Sequence, residues 1–320
     1  MIRVKNLSKN FGPVKAVDNI SFHVREGEIL GFLGPNGAGK STTMRIITCF
    51  IPPTSGTVSV GPYDIFSHSR NVRQIIGYLP ENAPLYPEMR VYQYLAFRAG
   101  LKGVPESRIN ERIEAVMDMC NITDIRNKIN GHLSKGYRQR VGIADCMLHE
   151  PRVLILDEPT VGLDPLQVKE TRKMFQDLRQ KSTIVISTHI LSEVEMTCDR
   201  ALIINKGKIV AEESIKDLTE EKEVIMAIEK PEGSTLEEIS TAIQSLVQVA
   251  ELKKSEEEGE YRFEISCKGV KDARNALSLK AREKGWRILE LKSTFASLED
   301  VFQNIIEEED GTDVNSIVGT

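Results

Sequence analysis

Gly34-Pro35-Asn36-Gly37-Ala38-Gly39-Lys40-Ser41 is the stretch on which the reading of this chain turns. It fits the pattern G-x-x-x-x-G-K-[ST] completely. The apolar run Ile29-Leu30-Gly31-Phe32-Leu33 before it reads as a strand, and Thr42 to Cys49 after it reads as a helix. Strand, Gly-rich loop and helix is the order a phosphate loop requires. The glycines let the backbone curl so that successive N–H groups point at phosphate oxygens, and the helix start adds its partial positive charge. Lys40 offers a mobile ammonium to the β- and γ-phosphates, and Ser41 offers an oxygen to Mg²⁺. Thr42, the next residue, completes the candidate nucleotide-binding set.

A phosphate loop specifies only a nucleoside triphosphate; the second carboxylate site narrows the chemistry. Val153-Leu154-Ile155-Leu156-Asp157-Glu158-Pro159 supplies it, an apolar strand delivering adjacent acids at its end. Asp157 is placed to hold Mg²⁺, directly or through water, and Glu158 to polarise a water for in-line attack on the γ-phosphate. Without the loop upstream, the same pair would read as solvated charges at a strand end.

Working outward, Met1 to Asn10 alternates like a strand, Thr57 to Val60 and Ile75 to Leu79 follow as strands, and Arg90 to Leu148 is mostly helical. Strands return at Val153 to Leu156, Ile184 to Ser187 and Leu202 to Asn205, with a helix from Gln167 to Gln180, which implies a largely parallel sheet. Beyond Thr219 the pattern changes. Strands at Glu223 to Ile228, Val247 to Leu252, Tyr261 to Ser266 and Trp286 to Leu291 enclose helices at Leu236 to Leu246 and Lys271 to Lys284, the βαββαβ order of a ferredoxin-like α+β domain. A final helix, Leu298 to Ile306, opens with Ser297 and Asp300 as a capping pair. The expected domains are therefore 1–219, with a helical subdomain at about 85–150, then 220–306, then an acidic tail at 307–320.

Composition agrees with two separate jobs. With 40% hydrophobic and 28% charged residues in 320, the chain is ordinary globular material. Up to Thr219 it carries 29 basic and 24 acidic residues; beyond it, 13 and 23. The acidic second part does not suit a phosphate backbone, so no nucleic acid is expected as a partner. The cysteines Cys49, Cys120, Cys146, Cys198 and Cys267 stand apart, without metal-ligand spacing, and read as reduced fillers. The N-terminus lacks the apolar core of a signal peptide and no run approaches the roughly 20 apolar residues of a membrane span.

Leu133-Ser134-Lys135-Gly136-Tyr137-Arg138-Gln139-Arg140 resembles the signature of ABC ATPases. With the phosphate loop, Asp157-Glu158, Gly162-Leu163-Asp164 and Ser187-Thr188-His189, every motif of that family has a counterpart in the expected order, over about Met1 to Leu218. The branch it looks like is the bacterial ABC-2 type exporters, which include antibiotic, multidrug and gliding-motility systems. The resemblance implies an α/β P-loop NTPase fold, a RecA-like core with an antiparallel β edge and an inserted helical subdomain. It implies ATP and Mg²⁺ as cofactors, and a dimer that sandwiches two ATP molecules. Ser134 and Gly136 would then close on the γ-phosphate held by the other protomer, and Asp164 would join that facing site. His189 would reach the γ-phosphate as the switch histidine, and Phe11 would stack on adenine, although a phenylalanine near a strand end serves a core as readily.

This sequence departs from the family at Glu81, where glutamine usually follows Tyr-Leu-Pro, and at Lys135 and Tyr137 within the signature. A carboxylate at 81 can still ligand Mg²⁺, but it adds negative charge and cannot donate a hydrogen bond to water. The resemblance further implies a separate transmembrane permease, placing the chain at the cytoplasmic face of the cell membrane, with Leu85, Tyr86, Tyr92 and Tyr94 near the groove that receives it, although the tyrosines read as readily as buried inside the helical lobe. A soluble ABC ATPase acting on DNA or ribosomes is the rival reading. The gap from Ser41 to Asp157 has no sustained heptads of the kind chromosome and repair members carry there, and the chain holds one ATPase half, where translation factors hold two. A small-molecule kinase would need neither the signature nor the switch histidine.

Overall fold

The chain opens on strands whose apolar residues alternate with polar ones, β1 (Ile2–Phe11) and β2 (Val14–Val24), and a third strand without polar side chains follows. The computed structural model describes residues 1–218, 221–231, 233, 235–246, 251–257, 259–266, 273–295, 298 and 302. They fall into two units, Met1–Glu213 and Ser214–Thr320.

In the first unit, β3 (Ile29–Leu33) leads through the Gly-rich loop into α1 (Lys40–Ile47). Then come β4 (Ser55–Val60), β5 (Tyr63–Asp64), α2 (Ser69–Ile75) and β6 (Ile76–Leu79). Three helices follow, α3 (Val91–Leu101), α4 (Glu106–Met119) and α5 (Lys135–Met147), and form the helical lobe. The chain returns through β7 (Val153–Asp157), α6 (Pro165–Leu178), β8 (Thr183–Thr188), α7 (Leu191–Thr197), β9 (Arg200–Asn205) and β10 (Lys208–Ser214).

Two sheets result, one in the order β2-β1-β4-β5 and antiparallel, the other β10-β9-β3-β8-β7-β6. In the second sheet β9, β3, β8, β7 and β6 run parallel. β3, β7 and β8 are buried at every residue, as strands covered on both faces must be. Phe22 and Phe32, with ring centroids 5.6 Å apart, join the inner faces of the two sheets in one core. Parallel order sends the ends of β3, β7, β8 and β6 to the same edge, where an open α/β sheet places its ligand.

The lobe is tied together by the Arg98 guanidinium, which donates to both oxygens of Asp145 at 3.0 and 2.9 Å. Of the two readings of Tyr94, partner groove or lobe interior, the structure shows the second: it is buried inside the lobe, on the face of α3 that also buries Val91 and Leu95. Tyr86 is exposed and meets the rings of Tyr94 and Phe97 edge-on at 5.9 and 5.8 Å. Tyr92 donates to Asn110 Oδ1 and lies under the Arg126 guanidinium, and Leu85 is half-buried.

The second unit carries α8 (Ile215–Leu218), β11 (Glu221–Glu229), α9 (Leu236–Leu246), β12 (Glu251–Glu257), β13 (Glu260–Ser266), α10 (Ala273–Lys284) and β14 (Ile288–Phe295). Its antiparallel sheet has the order β12-β13-β11-β14. Alternation on β13 turns Tyr261, Phe263 and Ile265 into the core, against Ile239 and Ile243 of α9 and Leu277 and Ala281 of α10.

Several boundaries differ from the sequence reading. The helix after the loop starts at Lys40, two residues before Thr42, because Gly39 caps it with φ 107°. Of the strand read at Val247 to Leu252, residues 247–250 lie outside the described residues; the described strand is Glu251–Glu257. It is an edge strand whose Lys253, Lys254 and Glu256 are exposed. The short helices α2 and α7 carry too few buried apolar residues to show a period, Val72 in one and Val194 in the other. The final helix is described only at Leu298 and Phe302; its Ser297–Asp300 pair, Cys267 and the tail 307–320 lie outside the described residues.

Candidate active site

Two glycines show why the loop can take its shape. A Cβ on Gly34 would stand 2.2 Å from the Ile204 carbonyl oxygen, and one on Gly39 would stand 2.5 Å from that of Ala16. Gly39 also needs the left-handed backbone that glycine adopts without penalty. The loop is closed by Ala38 N–H donating to Pro35 O at 3.2 Å and pinned by Gly207 N–H donating to Ala38 O at 3.0 Å. α1 starts with no side-chain cap and no acid in its first turn, so its N-terminal amides keep their full affinity for anions.

Lys40 is buried at 6% exposure and donates through Nζ to Gly34 O at 2.7 Å and Pro35 O at 3.1 Å. Burial pushes its pKa down, against the opposing pull of Glu158, Asp157 and Glu81. Its Nζ lies 4.0 Å from Glu158 Oε1.

β7 carries Asp157 and Glu158 to the same edge, Asp157 pairing in register with Ser187 of β8. Both acids are buried, at 1% and 7% exposure. Glu158 adopts φ 51°, a left-handed conformation that costs a non-glycine residue roughly 1–3 kcal/mol. Its N–H donates to Ser187 O at 2.8 Å, and its carbonyl accepts from Val161 N at 3.3 Å and from Gln139 Nε2 at 3.2 Å. These bonds turn the carboxylate toward the loop. Oε1 lies 2.9 Å from Nδ1 of His189, which follows β8 and is partly exposed. Asp157 Oδ1, Glu158 Oε2 and Ser187 Oγ are buried without a hydrogen-bond partner in the chain. Buried acceptors of this kind mark a place built for a ligand.

A cavity of about 390 Å³ gathers these groups: Asn36, Gly37, Gly39, Lys40, Ser41 and Thr42 form one wall, and Glu81, Glu158 and His189 face them. Ala16 and Val161 also line it, and the sequence reading missed both. Gly34, Pro35 and Ala38 shape the loop from behind. Asp157 sits beneath, close enough for its charge to act on Lys40.

Four expected residues lie away from this cavity. Ser134 caps α5, its Oγ accepting from Tyr137 N at 3.4 Å, and Gly136 packs so closely that a Cβ there would stand 2.7 Å from Gln167 Oε1 and 3.2 Å from Gly162 O. Asp164 caps α6, accepting from Gln167 N at 2.9 Å. The signature and the Gly162-Leu163-Asp164 turn are thus packed together within one chain. Phe11 is half exposed, with Lys9 Nζ 5.0 Å from its ring centroid, so it belongs to no core. Gln139 lies within the signature, and nothing in its position beyond Gly136 announces that it reaches Glu158.

The family model described as "ABC transporter" matches residues 17–161. The linearmycin resistance ATP-binding protein LnrL of Bacillus subtilis is 31% identical over 95% of this chain and 98% of its own length. The bacitracin transport ATP-binding protein BcrA of Bacillus licheniformis is 37% identical over 66% of this chain and 69% of its own. Among solved structures, the dimeric MJ0796, a bacterial ABC transporter cassette, superposes with TM-score 0.63 at 25% identity, covering 67% of this chain and 99% of that one. Motif order, parallel sheet, phosphate loop and these relatives lead to one assignment: the chain belongs to the family of ABC transporter ATP-binding proteins and carries its ATPase cassette.

Proposed function

We propose that this chain hydrolyses ATP as a closed dimer that drives a separate membrane-spanning permease, of the ABC-2 exporter type. One observation carries the dimer. Lys40, Glu158 and His189 share one cavity, while Ser134, Gly136 and Asp164 do not line it. The start of α5 is a second anion site on a 13-residue helix, and a second copy turned to face the first would bring it onto the γ-phosphate. That the similar cassette MJ0796 is dimeric supports a dimer here.

The cavity suits Mg²⁺ with ATP. Asp157 Oδ1 and Glu158 Oε2 are buried acceptors without partners, and Ser41 and Glu81 stand on the cavity wall. Among the described residues no three of His, Cys, Asp and Glu cluster as a metal cage. That fits an ion held by one or two carboxylates plus substrate phosphates. Ser41, Asp157 and Glu81 would hold it, and the bound ion would neutralise charge on the β- and γ-phosphate oxygens. The chain's own groups do the rest. Glu158 takes the proton of the attacking water as its oxygen bonds to the γ-phosphorus and the bond to the β-phosphate oxygen breaks. His189 Nδ1–H, donating to Glu158 Oε1, holds that carboxylate in place. Lys40 balances the charge that gathers on the leaving group. Phe11, exposed at the cassette's edge, would stack on the adenine.

Export is supported by what LnrL and BcrA are named for, linearmycin resistance and bacitracin transport. Among the described residues no helix is long and apolar enough to cross a membrane. The permease would hold the chain at the cytoplasmic face, with exposed Tyr86 and Phe97 offering it an aromatic surface.

Size-exclusion chromatography of the Glu158→Gln protein tests the dimer. With ATP and Mg²⁺ it is expected to elute as a dimer, and without ATP as a monomer. Adding Ser134→Arg should abolish the shift. A Glu158→Gln protein that stays monomeric at saturating ATP, or a dimer indifferent to Ser134→Arg, contradicts the arrangement.

A further inference from the structure

The hydrogen bond from Gln139 to the Glu158 carbonyl has no part in the mechanism above. Gln139 sits on α5 just beyond Gly136 and is 4% exposed. Its Nε2 donates to Glu158 O at 3.2 Å, and both partners are buried. That carbonyl has two lone pairs, and Val161 N–H takes the other at 3.3 Å. The Val161 bond closes a local turn, so it moves with Glu158. The Gln139 bond comes from a different element, 19 residues away in sequence, and fixes the peptide relative to the helical lobe. Together with Glu158 N–H donating to Ser187 O at 2.8 Å, it holds the left-handed backbone of Glu158 from both sides.

We infer that Gln139 is a positioning residue for hydrolysis, which aims the Glu158 carboxylate by clamping its carbonyl to α5. This rests on the reading of Glu158 as the base. If the Glu158 carbonyl were released, rotation about the Glu158 N–Cα bond would let φ 51° relax toward an ordinary region and carry the side chain with it, so that Oε1 would swing away from His189 Nδ1, now 2.9 Å distant. One helix then serves both centres of the proposed dimer: its start faces the partner's nucleotide, and Gln139 holds the base of its own.

The test is steady-state ATP hydrolysis by the full chain carrying Gln139→Met, which keeps the length and volume of the side chain and removes the donor. A small misplacement of a reacting group can cost tenfold or more, and kcat is expected to fall roughly tenfold. KM for ATP should change less than twofold, since Gln139 does not line the cavity. In a Glu158→Gln background the same substitution should add no further loss, because a residue that acts through Glu158 has nothing left to position. If Gln139→Met does not fold, Gln139→Asn replaces it; this keeps the amide but withdraws it by one methylene, and the same split between kcat and KM is expected at smaller size. Unchanged kcat, a rise in KM alone, or an equal loss in the Glu158→Gln background would each overturn the proposal. Residual full turnover in Glu158→Gln by itself would instead sink the reading of Glu158, so the two failures are distinguishable.

Discussion

Met1–Glu213 and Ser214–Thr320 both back a sheet with helices, yet they bury different things. The first unit buries charge: Lys40, Asp157, Glu158, Arg140, Glu193, Glu28 and Arg200 are all below 9% exposure. In the second, among the described residues, Ser240 is the one polar side chain buried to that degree. Burying a charge is costly unless it is paired, so each case demands a reason. Some pairs answer it structurally. Arg200 holds Glu28 with bonds of 2.7 and 3.1 Å and keeps that carboxyl below its usual range despite its burial, and Arg140 donates to Glu170 at 2.7 Å. Asp157 and Glu158 answer it only in part, each keeping an oxygen without a partner. The contrast separates a unit whose interior is arranged for chemistry from one whose interior only packs.

That contrast can be broken first through the second core. Phe263 is fully buried between α9 and α10, and Phe263→Ala should destabilise the second unit by about 3–5 kcal/mol. Thermal unfolding of the full chain should then show an earlier transition, while ATP turnover at 25 °C stays within twofold. A matching loss of turnover would mean that the second unit takes part in the chemistry.

A smaller effect sharpens it. All five histidines of the sequence precede residue 190, so acid sensitivity from imidazoles belongs to the first unit. His149, beside the Ile76 carbonyl at 3.0 Å, is pushed down to about 4, first by burial and then by Lys102. Well above pH 6.5 it is neutral folded or unfolded and contributes nothing to the difference. As pH falls from 6.5 to about 4 the unfolded chain takes a proton that the folded one refuses, and stability drops by at most about 3 kcal/mol. Below about pH 4 the loss levels off. Denaturant unfolding of wild type and His149→Gln across that range should therefore diverge as pH falls, with the glutamine variant keeping more of its stability. Parallel curves would place the acid response elsewhere.

The sequence was most legible where backbone geometry leaves no choice. Gly34 and Gly39 are needed because an Ile204 or Ala16 carbonyl occupies the room of a side chain, and so the loop could be read residue by residue. Asp157 and Glu158 were legible because β7 is apolar throughout and its acids come only at the end. Ala16 and Val161 were not, since nothing in an alanine or a valine marks the wall of a site. Gln139 was hidden for another reason: its partner is a backbone carbonyl, which leaves no trace in the sequence. In the second unit, Leu236–Leu246 was read to the residue from its apolar period, whereas β12, charged and at an edge, lacks the alternation that would announce it.

Hydrolysis in the proposed mechanism depends most on Glu158, the group that takes the water's proton. Steady-state ATP hydrolysis by the full chain with Mg²⁺, compared between wild type and Glu158→Gln, tests this directly, with ATP affinity measured alongside. Turnover should fall by at least about 100-fold, the scale of a lost general base, while ATP binds as tightly as before. A Glu158→Gln protein that hydrolyses ATP at the wild-type rate would contradict the assignment and leave the buried, unpartnered Glu158 Oε2 just past β7 without its explanation.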